Sequence, residues 1–177
     1  MANDKENPAL SKAFEALQEG KTLTSRQRRL LTDAAEVAID NFMRSVGIVN
    51  PAEFTDERGI RHLKLGSAEG VAFIDEVEGD LYLHVEAFVM KVPSDQELIV
   101  PLYRELLELN LDIPGTCRFA IRDDAVVVVA TEDLGVLRDD SDFARHIHWV
   151  MTYTDAMDSD LAKKYDRTTR KRPAKRR

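Results

Sequence analysis

The chain has 177 residues, 44% hydrophobic and 32% charged, the balance of one globular domain with short tails. No apolar run approaches the roughly 20 residues that cross a bilayer, the polar start Met1 to Asn7 lacks a secretory pattern, and the only cysteine, Cys117, has no internal partner for a disulfide. A reducing, cytoplasmic setting without membrane contact is therefore expected. The net charge of -7 divides unevenly: Lys163 to Arg177 hold nine basic residues and one acidic, a charge of +8, which leaves 16 basic against 31 acidic, or -15, for residues 1–162.

In chain order, Leu10, Phe14 and Leu17 form one apolar stripe of a short helix that Gly20 stops. Thr24 or Ser25 caps a longer helix, whose stripe runs Leu31, Ala34 or Ala35, Ala38, Phe42 and Val46 to Gly47. Period-two patterning follows, with strands expected at His62 to Leu65, Val71 to Val77 and Leu81 to Val92. In the last of these, Leu81, Leu83, Val85, Ala87 and Val89 share one face, and Tyr82, His84 and Glu86 the other. From Phe88 onward the second face turns apolar too, with Met90 and Val92, so that end of the strand needs cover on both sides. That cover is expected to be a helix, a twin subunit or a client. Phe88, Met90 and Val92 are therefore candidate partner-binding residues.

Ser94 and Glu97 are spaced as a capping box. The helix they open carries Leu98, Leu102, Leu106 and Leu109 on one stripe and Ile99, Tyr103 and Leu107 on the next, wider than one buried face. Pro101 is expected to kink it or mark its start, with Asn110 and Pro114 ending it. A hairpin follows: Cys117, Phe119 and Ile121, the turn Asp123-Asp124, then Ala125 to Thr131. Ser141 caps a final helix with Phe143, Ile147, Val150 or Met151, Thr154, Met157 and Leu161 at helical spacing. Trp149 on that helix reads equally as an interface anchor, which makes it a fourth candidate partner-binding residue, and as a core residue.

The expected fold class is α+β, an antiparallel sheet with helices in the order α-β-β-β-α-β-β-α. Three parts are expected: residues 1–22 as an N-terminal extension with a short helix, 23–162 as the domain, and 163–177 as a basic disordered tail. This order resembles type III secretion chaperones and the related YbjN-like proteins. The most similar stretch holds Pro93, a leucine-rich helix ending Leu106-Leu107-Glu108-Leu109-Asn110, and the hairpin Cys117 to Thr131. The resemblance covers residues of about 25 to 162. It implies a homodimer joined through the middle helix, with Ile99, Tyr103, Leu106 and Leu107 as contacts. It also implies extended client segments bound on apolar surface, and no catalytic residues.

The chemical motifs are sparse. Neither a phosphate loop nor a Gly-x-Ser-x-Gly elbow occurs. His146 and His148 stand about 200° apart on a helix and cannot share a metal. His84 and Glu86 could act as an acid–base pair, but a solvated strand face is the better reading. Asp75, Glu76, Glu78 and Asp80 read as a soluble turn. Asp139, Asp140 and Asp142 suit a helix start. No cofactor or metal is expected. The expectation is a non-enzymatic, chaperone-like or adaptor homodimer that binds a protein client. The alternative is an accessory protein holding nucleic acid without sequence preference, through Arg167, Arg170, Lys171, Arg172, Lys175, Arg176 and Arg177.

Overall fold

The computed structural model describes residues 7–113, 115–137 and 139–165. The expected nucleic-acid contacts Arg167 to Arg177 lie outside the described residues.

Helix α1 spans Pro8–Gln18 and packs on α2, Ser25–Ser45. A reciprocal cap opens α2: Thr24 Oγ1 accepts from the Gln27 N–H, and Gln27 Oε1 accepts from the Thr24 N–H. A 3-10 turn at Pro51–Phe54 leads to three strands, β1 (Arg61–Leu65), β2 (Ala68–Val77) and β3 (Asp80–Lys91). Helix α3 (Gln96–Asp112), strands β4 (Arg118–Arg122) and β5 (Ala125–Asp133), and helix α4 (Asp140–Tyr165) complete the chain. The sheet is antiparallel throughout, in the order β1-β2-β3-β5-β4. The α+β order expected from the sequence is the order found. Both residues of the β4–β5 turn, Asp123 and Asp124, have positive φ (48° and 62°), which matches the twist of the two strands.

One sheet face is the core face. Leu81, Leu83, Val85 and Ala87 of β3 meet α4, which crosses the sheet beside α2. The crossing is close at Gly70 on β2. A Cβ there would lie 2.6 Å from the Glu86 carbonyl and 3.0 Å from Met151 Sδ on α4, so only glycine lets the helix sit this low. Arg61 of β1 ties the sheet to α2. It is buried, and bonds Glu36 and Asp40 at 3.2 Å each and the Gly59 carbonyl at 2.7 Å. The opposite sheet face carries no helix among the described residues.

Several local expectations are corrected. The alternation along β3 breaks at a bulge: Phe88 pairs with Val127, but Met90 pairs with Val126. The extra residue turns Met90 onto the core face, where it is buried, and leaves Phe88 on the open one. The cap of α3 is Asp95, not Ser94; its carboxylate accepts from the Glu97 N–H at 3.0 Å. The cap of α4 is Asp139, whose Oδ1 accepts from the Ser141 and Asp142 N–H groups at 2.9 and 3.1 Å. Pro101 lies inside α3, on its exposed side, where the carbonyl that proline cannot serve is open to solvent rather than shut in the core.

Asn110 does not end α3. It sits inside the last turn, with Oδ1 accepting from the Phe119 N–H at 2.6 Å and Nδ2 donating to the Phe119 carbonyl at 3.3 Å. These are the two backbone groups an outer strand would have taken, because the N–H and C=O of one strand residue point the same way. One side chain therefore closes that stretch of the β4 edge and fixes α3 beside it. Replacing Asn110→Ala should lower stability by about 1–3 kcal/mol by orphaning both groups. The readout is a fall in the urea midpoint at unchanged slope; an unmoved midpoint would deny Asn110 this role.

Candidate functional site

Helix α3 shows two opposed apolar faces. Leu102 and Leu106 are buried, and Leu98 and Leu109 are packed against the core. On the far side stand Val100, Tyr103, Leu107 and Leu111, exposed by 73%, 39%, 69% and 85%. At roughly 100° per residue these four fall within about 80° of arc, a single continuous stripe. Single exposed apolar residues are ordinary, but four in file on one helix are not.

The stripe has two unlike margins. Toward β4 lie Ile99 and Asn110, both half-buried. Toward the end of α4 lie Arg104, Glu105, Glu108 and Asp112. Arg104 Nε donates to Glu108 at 2.8 Å. Glu105 accepts from the Lys164 ammonium and the Tyr165 hydroxyl. Burial raises the Glu105 pKa, but the two donors outweigh it and leave it below the usual value. A shallow groove of 410 Å³ runs along this margin between α3 and Lys164-Tyr165.

A second surface adjoins the first. An apolar recess of 570 Å³ is lined by Phe88, Met90, Val92, Pro93, Leu98 and Tyr165, among others. The structure thus brings Phe88, Met90 and Val92 to one place, although the bulge turns them to different faces. Met90 is buried, Val92 is half-buried, and Phe88 is 46% exposed. Trp149 is elsewhere, half-buried on α4 against the core. Its ring faces His146 and Arg145, each at 5.7 Å. A Cβ on Gly115 would come within 2.7 Å of that ring. Of the four expected α3 contacts, Tyr103 and Leu107 are on the stripe, Ile99 is on its margin, and Leu106 belongs to the subunit's own core.

Sequence reasoning missed Val100 and Leu111. The signal was present, since 100, 103, 107 and 111 follow the i, i+3, i+7, i+11 spacing of one helix face. The leucines of the inner stripe masked it.

The His84–Glu86 pair departs from the solvated face expected of it. His84 is buried, its ring 4.7 Å from Phe73 and its Nδ1 3.3 Å from Thr131 Oγ1. Its Nε2 stands 3.7 Å from Glu86 Oε2, which Arg122 of β4 meets at 2.6 Å. Burial pushes the His84 pKa down, and Arg122 adds to this against the pull of Glu86. The nearby groove is lined by Glu86 and Arg122 but not by His84. His146 is also buried, with Nε2 3.2 Å from Glu132 Oε2; burial pushes its pKa down against that carboxylate. Cys117 is buried and its thiol is pushed up to about 11 by burial. Among the described residues, no group of three or more His, Cys, Asp or Glu is placed to hold a metal ion. Nor is any helix among them long and apolar enough to cross a membrane.

No family model matches the sequence, and no curated protein matches it. Solved structures do resemble it. The ExsC–ExsE complex holds a chain 15% identical, with a TM-score of 0.56 over 73% of this chain and 95% of that one. The ExoU–SpcU complex, from the type III secretion system of Pseudomonas aeruginosa, holds one 24% identical, with a TM-score of 0.45 over 70% and 96%. The class is therefore defined by architecture: an α+β domain with a five-stranded antiparallel sheet flanked by helices. More particularly, the chain has the type III secretion chaperone-like fold.

Both buried histidines titrate below their ordinary value, which gives the pH response a definite sign. Below about pH 6.5 the unfolded chain takes up protons that the folded chain refuses, so stability falls as pH falls. The urea midpoint should drop between about pH 7 and 5.5, above the range where carboxylates titrate. His84→Gln with His146→Gln should flatten that drop. A wild-type midpoint constant over this window would show that neither histidine is held neutral.

Proposed function

We propose that the protein is a non-enzymatic, chaperone-like homodimer that binds a protein client in the cytoplasm. Two copies join through the α3 stripe, and the recess at the end of β3 receives a segment of the client. One observation carries this reading: four large apolar side chains stand in file on α3, and the subunit itself does not cover them. The YbjN-like pattern of α3 and its following hairpin supports the same reading. So does the likeness to the ExsC–ExsE complex, a protein bound to a protein.

The energetics suit a dimer of limited strength. Eight stripe side chains across a two-fold pair, at about 1.5 kcal/mol each, give roughly 12 kcal/mol gross. Association costs about 4–15 kcal/mol. The two are close, so the stripe needs support from its margins, and loss of one symmetric pair of leucines should be decisive. Ile99 fits a supporting contact. Leu106 acts indirectly, by holding α3 against the core.

The subunit mass is 20.0 kDa. Light scattering should give twice that for the wild type and the single-chain value for Leu107→Glu, which places two carboxylates at the two-fold contact. The far-ultraviolet spectrum should not change, because Leu107 is exposed in the subunit. A wild type that remains a single chain at high concentration would defeat the proposal. So would a Leu107→Glu dimer as tight as the wild type.

A further inference from the structure

The acidic margin of α3 has an occupant within the same chain. From its cap to its end, α3 carries Asp95, Glu97, Glu105, Glu108 and Asp112 against one basic residue, Arg104. The C-terminal turn adds the negative end of the helix dipole. Asp112 has no ion-pair partner among the described residues. This is a surface suited to cations, and α4 ends on it. Lys164, the second residue of the basic run, already pairs with Glu105, and Tyr165 joins them.

Residues 166–177 then carry seven basic residues and one acidic. Reach is no obstacle. Glu105 and Asp112 are about 10 Å apart along α3 at 1.5 Å per residue. Seven extended residues beyond Tyr165 span up to about 25 Å. The apolar recess on the other side of Tyr165 suits this segment poorly, since Pro173 and Ala174 are its only apolar residues.

We infer that residues 166–177 dock in cis along the acidic margin of α3, in the groove beside Glu105, Glu108 and Asp112, and so border the exposed apolar stripe. The contact is electrostatic, and salt weakens it. The docking itself is independent of the proposed function. Its consequence rests on that reading: a segment lying beside Leu107 and Leu111 competes with whatever covers the stripe.

The test uses the full chain with a spin label on Ala174→Cys. Cys117 stays unlabelled, because it is buried and its thiol is pushed up to about 11. Backbone amides of residues 105–112 should broaden selectively at about 0.01 M salt and recover near 1 M, as the screening length falls from about 30 to 3 Å. Glu108→Gln with Asp112→Asn should remove most of the broadening. In the Leu107→Glu background, where no α3–α3 contact brings a second copy close, a mixture of spin-labelled and isotope-labelled chains should show none; broadening there would put the segment on a second copy and overturn the contact in cis. Broadening absent from α3 at low salt would also overturn it. Light scattering on the Leu107→Glu variant judges the dimer separately, so the two ideas fail on different measurements.

Discussion

Helix α3 is gripped at three places and left open on the fourth side. Its inner leucines enter the core. Asn110 bonds the backbone of Phe119 on the β4 margin. Glu105 holds the end of α4 on the other. A helix cannot rotate under those three restraints, so the remaining quadrant must face outward. That quadrant holds Val100, Tyr103, Leu107 and Leu111. Every functional statement about the protein depends on this constraint, because the surplus apolar surface exists only if α3 cannot turn it inward.

The sheet shows the same economy of cover. One layer of helices, α2 and α4, satisfies one face. The other face shelters its own polar groups. His84 tucks between Phe73, Thr131 and Glu86, and Arg122 neutralises Glu86 from the neighbouring hairpin. This arrangement leaves His84 Nε2 buried without a hydrogen-bond partner, which disfavours the charged imidazole. A strand face that looks solvated in one dimension becomes half-dry once the strands on either side crowd it. The pair is thus a structural response to sheet width before it is a chemical site.

Much of the architecture was legible from short-range pattern. The Thr24 cap, the leucines of α3, the Asp123-Asp124 turn and the apolar run of β5 each depend on neighbours within a few residues, and each fell close to where the pattern put it. The misses share a cause. The bulge at Phe88 to Met90 is set by pairing with Val126 and Val127, far along the chain. Asn110 reads as a helix stop because its preference for termini is local, whereas its actual partner lies on β4. Val100 and Leu111 were hidden because a pattern shows that a helix has two apolar faces without saying which one the fold buries.

By itself, the sequence determined the elements, their order, the antiparallel hairpins and the split between an acidic body and a basic end. Those properties follow from periodicity, turn chemistry and charge, which act over a few residues. The tertiary structure alone decided which face of α3 is spent on the core, which side chain blocks the β4 edge, and that α4 ends on an acidic margin. These depend on distant segments meeting. Burial is a property of the pair of surfaces in contact, and no single segment of sequence contains both.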